Sequence, residues 1–344
     1  FMSKSPSNPK GTRDFLPLEL SKRNYIIKIL RNNFKNFGFS EIETPAIEKS
    51  STLLGKYGNE GDRLVFKILN SGDKVKKADI SSFESGNLNS FVKSISEKGL
   101  KYDLTVPLAR FVSQHQNEII FPFKRFQIQN VWRADRPQHG RYQEFTQCDA
   151  DVIGSNSIIQ EIELIKLYDS VFHQLGFTDL VLKINHRGIL RKLACHFGAG
   201  ENIIEFINSL DKIDKIGVDK VLDEIKLIAS DFSEKELRNL LSKKEFDLEN
   251  LKKIFSKNSD SSLAIDEIGQ ILNYFSTNNL INEIKFDLTL ARGLNYYTGT
   301  IIEVSSKTNQ RIGSIGGGGR YDDLTSMFNL KNMSGVGISF GLDR

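Results

Sequence analysis

No run of about 18 consecutive apolar residues occurs in this chain, so a bilayer-spanning helix is not expected. The first residues, FMSKSPSNPKGTRDF, have no apolar centre of the kind a secretory signal needs. Cysteine is scarce. Cys148 and Cys195 stand far apart and neither belongs to a C-x-x-C pair, which argues against a zinc cage or a disulfide framework and leaves both expected as buried small hydrophobes. The histidines (His115, His139, His173, His186 and His196) show no H-E-x-x-H or related ligand spacing, although His186 and His196 could meet in space. A large excess of either charge is missing too: a net charge of +4 permits a polyanionic partner without demanding one. A soluble, cytoplasmic protein without a membrane partner is expected.

At 344 residues and 39% hydrophobic, the chain has room for one large core and a smaller appendage. Leu20, Ile26, Ile27, Leu30, Phe34 and Phe37 recur at roughly helical spacing and predict a helix over residues 18–37, with Gly38 where a cap glycine belongs. Residues 39–44 alternate as a strand does until Pro45 stops them, and residues 64–70 form a second short strand. The weakly apolar stretch 71–99 reads as a surface hairpin or excursion. In YDLTVPLARFV, Pro107 fits the first turn of a helix, with Thr105 as its N-cap and Asp103 by its positive end. A further helix is expected over 157–176 and a strand over 181–185. Residues 188–283 carry Lys, Asp, Glu, Ile and Leu at helical spacing and no strand texture, which returns from Ile284. Strands on both sides of a helical insert imply one sheet built from distant segments, an α+β fold with more antiparallel than crossover connections. The expected domains are a core over 2–187, a helical insertion over 188–283 and a return to the core over 284–344.

The segment FKRFQIQNVWRADRPQHGRYQEFTQCDADVIG reads as two strands folded around a loop. Alternation puts Arg125, Gln127, Gln129, Val131 and Arg133 on one face of the first, and Gln143, Phe145, Gln147, Asp149 and Asp151 on one face of the second. These faces are too polar for an ordinary core. They are either a solvated outer surface or a surface that binds a planar base, a phosphate and an amine together. LARGLNYYTGTIIEV leaves a similar choice: Arg292, Tyr296 and Tyr297 lie between Gly293 and Gly299, as a strand-edge turn with core aromatics or as a ring-binding pocket. GSIGGGGRYDDL is not a phosphate loop, because no G-K-[ST] follows. Gly316 to Gly319 instead let backbone pass close to a ligand or another strand. GVGISFGLDR reads as a strand that ends in glycine and the start of a charged helix, with Arg344 last.

Taken in order, KGTRDFLP, YDLTVPLARFV, the hairpin segment, LARGLNYYTGTIIEV, GGGGRYDDL and GVGISFGLDR resemble the histidyl-tRNA synthetases, a class II aminoacyl-tRNA synthetase family. The resemblance runs over nearly the whole chain, and only 71–99 and much of the helical insert are unfamiliar. DLT, QCDxD and LARGLxYYTG are its more specific strings, since class-wide motifs alone would not name the amino acid. It implies a mostly antiparallel sheet flanked by helices, a helical insertion domain and a homodimer joined through the first helix and the strand ending at Pro45. It also implies an ATP-dependent ligase that converts L-histidine and ATP, with Mg²⁺ on the phosphates, to histidyl-adenylate, and then charges histidine tRNA.

Carried over residue by residue, the resemblance implies that Arg133 holds the α-phosphate and the substrate carboxylate, that Phe145 stacks on adenine with Arg344 on its other side, and that Arg141 reaches the γ-phosphate. Asp103, Thr105 and Gln147 would surround the α-amino group, Asp151 and Tyr297 would lie near the imidazole, and Tyr296 and Tyr321 would line the pocket. Arg292 would stabilise the transition state of adenylate formation. The insert resembles one that approaches the acceptor stem, but its acidic residues offset its basic ones. Asn295 stands where many relatives have Asp, the glycine run departs from the usual string, and the chain stops at Arg344, where the family's last motif would continue and an anticodon-binding domain would follow. The rival reading is a synthetase-like regulatory protein that binds histidine without catalysis. Such paralogues typically lose the arginines that handle ATP, and this chain has Arg133, Arg141, Arg292 and Arg344.

Overall fold

The computed structural model describes residues 6–55, 63–137, 140–229, 232–242, 248–255, 261–291, 296–309 and 312–344. They fall into two compact units: Phe1–Ala150 with Leu324–Asn332 and Phe340–Arg344, and Asp151–Asp323 with Met333–Ser339. No helix among the described residues is long and apolar enough to cross a membrane.

In the first unit, α1 (Pro17–Asn36) begins on a proline whose missing N–H costs nothing there, and the Glu19 carboxylate accepts the Leu16 N–H at 3.2 Å. It ends where Gly38 takes φ +80°, a conformation that only glycine adopts freely. Its buried face carries Phe34, whose ring lies 5.0 Å from Phe126 and 5.8 Å from Phe340. The strand expected over 39–44 shrinks to β1 (Ser40–Glu41), parallel to β5 (Phe123–Trp132). Its ladder ends because the Thr44 N–H turns to the side-chain oxygen of Gln129, at 3.2 Å. Beside β5 lies the first part of β6 (Glu144–Ile153). A small antiparallel sheet joins β2 (Ile47–Lys49), β4 (Lys98–Leu100) and β3 (Lys67–Ile68), next to a single turn, α2 (Ser50–Leu53).

The stretch 71–99 is no hairpin. After a 3₁₀ turn over Gly72–Lys77 it forms α3 (Ile80–Glu84) and α4 (Leu88–Ile95), because Asp79 and Asn87 accept the Ser82 and Ser90 N–H groups and cap the two helices. Phe83 and Phe91 then pack across them with centroids 5.0 Å apart. The DLT helix, α5 (Thr105–Gln114), is also capped differently from expectation: Asp103 Oδ1 accepts the Val106 N–H at 3.1 Å, and Thr105 is the first helical residue.

In the second unit, the end of β6 is followed by α6 (Ile159–Gln174), β7 (Leu180–His186), a helical stretch, β8 (Glu283–Phe286), β9 (Thr300–Ser306), β10 (Ser314–Tyr321) and β11 (Gly335–Phe340). The strand order is β6–β11–β10–β9–β7–β8, with β7–β8 parallel and the β7–β9 and β9–β10 pairs antiparallel. The fold is therefore α+β, with a mixed, mostly antiparallel sheet flanked by helices. The helical stretch holds α7 (Arg187–His196), α8 (Ile203–Leu210), α9 (Ile213–Lys226), α10 (Glu234–Leu241), α11 (Leu248–Phe255) and α12 (Ser261–Thr277). They share a core that includes Phe206, Leu222, Leu237, Leu251 and Ile268.

The glycine run forms β10, and each close approach needs a missing Cβ. One on Gly316 would lie 2.7 Å from the Tyr168 ring, and one on Gly318 would lie 2.2 Å from the Gly337 carbonyl oxygen. Tyr168 fixes the arrangement by donating to the carbonyl of Gly317 or Ser339, at 2.9 and 2.8 Å.

Candidate active site

The first unit gathers part of the expected site around Arg133. Its Nε donates to the Tyr102 carbonyl at 3.1 Å and its Nη2 to Gln147 Oε1 at 3.3 Å. The guanidinium carbon lies 4.4 Å from the centroid of Tyr102 and 5.1 Å from that of Phe145. Two aromatic faces and two acceptors thus hold the planar fork in one orientation, as a lysine could not be held. Gln147 donates in turn to Asp149, at 3.2 and 3.3 Å. Asp103 and Thr105, at the start of α5, are buried. The face of β5 is no solvated surface either: Arg125, Gln127 and Val131 are fully buried.

Below that face, the buried Lys101 Nζ donates to Gln129 Oε1 at 2.7 Å and to the Thr44 carbonyl at 3.0 Å. Burial lowers its pKa to about 8, opposed by Glu48 and Glu43. Arg141 and Arg344 are exposed and stand outside the Arg133 contacts.

KGTRDF acquires a physical reason in the same unit. Asp343 forms ion pairs with Arg13, at 2.8 Å, and with Arg23, which also donates to Thr146 Oγ1 at 3.1 Å. A Cβ on Gly11 would lie 2.6 Å from Gln143, whose N–H donates to the Gly11 carbonyl at 2.8 Å.

The second unit holds Asp151, Tyr296, Tyr297 and Tyr321. The buried Tyr321 donates its phenolic hydrogen to Asp151 Oδ1 at 2.5 Å. The Tyr296 ring lies 5.0 Å from Tyr297 and 6.0 Å from Tyr321. Glycines make this packing possible: a Cβ on Gly337 would lie 1.9 Å from Asp151 Oδ1, one on Gly335 2.3 Å from the Tyr321 ring, and one on Gly319 2.9 Å from Tyr297. Arg320 forms a parallel pair of hydrogen bonds with Glu161, at 2.5 and 2.6 Å. Burial opposes charge on Arg320, yet the bonds to Glu161 outweigh it and hold the guanidinium above its ordinary value. Burial raises the Glu161 carboxyl, and the same bonds pull it back. Arg292 and Asn295 lie outside the described residues.

A family model described as "Histidyl-tRNA synthetase" matches residues 92–344. The chain belongs to the histidyl-tRNA synthetase family. It is 54% identical to the histidine–tRNA ligase of Christiangramia forsetii over 350 residues, covering 100% of this chain and 76% of that one. With the histidine–tRNA ligase of Flavobacterium johnsoniae it shares 50% identity over 368 residues, 100% of this chain and 77% of the other. The crystal structure of histidyl-tRNA synthetase from Nostoc sp. PCC 7120 superposes with a TM-score of 0.81 at 27% identity, covering 98% of this chain and 73% of that one.

Residues that sequence reasoning missed in this histidyl-tRNA synthetase fold are Tyr102 under Arg133, and Glu161 with Arg320; Asp149, grouped with its strand face but given no role, stands behind Gln147. Two had a sequence signal, since Tyr102 directly precedes DLT and Arg320 directly precedes Tyr321. Glu161 had none. Cys148 is buried, and burial raises its thiol pKa, but Cys195 is exposed on the last turn of α7, against expectation. His186 pairs with Glu267 at 2.9 Å and His196 with Glu236 at 3.1 Å. Among the described residues no group of His, Cys, Asp and Glu could hold a metal ion.

Proposed function

We propose that the protein activates L-histidine with ATP and transfers it to the 3′ end of histidine tRNA. In the first step a histidine carboxylate oxygen attacks the α-phosphorus, the bond to the β-phosphate bridging oxygen breaks, and pyrophosphate leaves histidyl-adenylate behind. In the second, a hydroxyl of the terminal ribose attacks the activated carbonyl, loses its proton and expels AMP. The observation that carries the histidine reading is the buried carboxylate of Asp151, held by the Tyr321 phenol: an imidazole N–H needs such an acceptor, which a merely hydrophobic pocket lacks.

The side chains divide the work. Asp151 and Tyr297 read the imidazole, while Tyr296 and Tyr321 line its pocket. Asp103, Thr105 and Gln147 accept from the α-ammonium group. Arg133, pre-oriented by Tyr102, Phe145 and Gln147, binds the α-phosphate and the histidine carboxylate. Phe145 and Arg344 sandwich adenine, Arg141 meets the γ-phosphate, and Arg292 stabilises charge on the equatorial oxygens in the transition state. Mg²⁺ enters with ATP and neutralises phosphate charge.

Residues 2–187 and 284–344 are the catalytic core and 188–283 the helical insertion, which resembles an insertion that approaches the tRNA acceptor stem. The homodimer forms through α1 and β1, where Leu16, Leu18, Leu20 and Tyr25 are exposed. The protein works in the cytoplasm.

ATP–pyrophosphate exchange with each amino acid in turn tests this reading. Exchange with histidine alone is expected. Histidine binding without exchange would make the protein a regulatory sensor, and exchange with another amino acid would overturn the substrate.

A further inference from the structure

A hydrogen-bonded network in the second unit touches every segment that carries the imidazole-reading groups. Arg320, 6% exposed, grips Glu161, 0% exposed, through its Nε and Nη2. Its Nη1 donates to the Ser155 carbonyl at 2.9 Å and to Ser334 Oγ at 2.6 Å, and its Nη2 reaches the Ser157 carbonyl at 3.3 Å. The Ser334 hydroxyl passes its own hydrogen to Asp322 Oδ1 at 2.6 Å. Asp322 then holds Thr298 reciprocally: Thr298 Oγ1 donates to Asp322 Oδ2 at 2.6 Å and accepts the Asp322 N–H at 3.0 Å. The Thr298 N–H closes the circuit on the Arg320 carbonyl at 2.8 Å. Gly299 makes room for this, since a Cβ there would lie 3.1 Å from the Arg320 side chain.

Each contact point adjoins a pocket group. Thr298 follows Tyr297 directly, and Tyr321 sits between Arg320 and Asp322. Ser334 precedes Gly335, whose bare Cα admits the Tyr321 ring, and the Ser334 carbonyl accepts from Gly154, three residues past Asp151. A hydrogen-bond donor or acceptor displaced by about 1 Å can cost on the order of 10²-fold in rate. Anchoring the backbone on both sides of Tyr321 and directly after Tyr297 is what keeps such displacement small.

We infer that Arg320, Glu161, Asp322 and Thr298 are positioning residues for histidine recognition: they touch no substrate atom and act by fixing Tyr297, Tyr321 and Asp151. The Arg320–Glu161 pair is the buried anchor, and the Thr298–Asp322 pair is the adjustable outer link. This inference rests on Tyr297 and Asp151 being the imidazole readers.

The outer link separates positioning from folding, because Asp322 is exposed and Thr298 only half-buried, so Thr298→Val and Asp322→Asn leave the core intact. Histidine-dependent ATP–pyrophosphate exchange, with KM measured for histidine and for ATP, is compared across wild type, these two variants and Tyr297→Phe, alongside thermal melting. The expected result is a roughly 10-fold rise in histidine KM in all three, with ATP KM unchanged and melting within a few degrees of wild type. Should Tyr297→Phe raise histidine KM while Thr298→Val and Asp322→Asn leave it within about twofold, the positioning inference falls and the pocket reading stands. Should Tyr297→Phe also leave it unchanged, the pocket reading falls and takes this inference with it.

Discussion

The hydroxyl of Tyr321 donates to Asp151 Oδ1 at 2.5 Å, tying a buried phenol on β10 to a buried carboxylate on β6. A carboxylate so held has one oxygen oriented by protein and keeps capacity to accept from a ligand. The two glycines of GVG, Gly335 and Gly337, are what let the phenol and the carboxylate lie this close to β11.

Gly337→Ala is therefore expected to displace Asp151, since the new methyl would lie 1.9 Å from Oδ1. Overpacking of this kind costs about 1–3 kcal/mol in stability. Histidine KM should rise about 10-fold or more, by a misplaced acceptor. Melting temperature and histidine KM check the two effects separately.

Arg133→Lys keeps the charge and loses the planar fork that bonds the Tyr102 carbonyl and Gln147 while stacking on Tyr102 and Phe145. Pyrophosphate exchange should fall by about 10² to 10³, the usual scale for losing an oriented transition-state donor, with circular dichroism unchanged. A fall below about tenfold would remove Arg133 from the phosphate-binding role.

Arg292→Ala should likewise lose about 10² to 10³ in exchange rate while histidine binding, followed by calorimetry, is retained. Near-normal exchange would reassign the transition-state role to another cation.

Lys101 makes stability depend on pH. Its folded pKa of about 8 lies below the ordinary 10.5 because burial disfavours the ammonium. Below pH 8 both folded and unfolded chains hold the proton and no slope arises. Between pH 8 and 10.5 only the unfolded chain holds it, so stability rises with pH. From pH 7.5 to 9.5 wild type should gain about 2 kcal/mol relative to Lys101→Met. Parallel melting curves of the two proteins across that range check it, and parallel shifts would contradict it.

Much of this was readable in advance where one residue's neighbours along the chain decide its role. Alternation along β5 and β6 places Gln127 beside Gln129 and Gln147 beside Asp149, pairs that hydrogen-bond in the structure, because a strand sends every second side chain the same way. For the glycine run the choice between a nearby ligand and a nearby strand is decided only by the fold, where Gly316 meets Tyr168 and Gly318 meets the β11 backbone. The short helices α3 and α4 hid in a polar stretch too brief to show a period, although their caps, Asp79 and Asn87, were visible signals. Glu161 could not have been found from sequence: it is 159 residues from Arg320, and their pairing depends on the sheet that brings them together.

The most direct measurement is histidine-dependent ATP–pyrophosphate exchange in Asp151→Asn beside wild type. If the Asp151 carboxylate reads the imidazole, wild type exchanges with histidine, and kcat/KM for histidine in the variant falls by about 10² or more while ATP KM and melting temperature stay near wild type. A variant that uses histidine as well as wild type does would contradict the account.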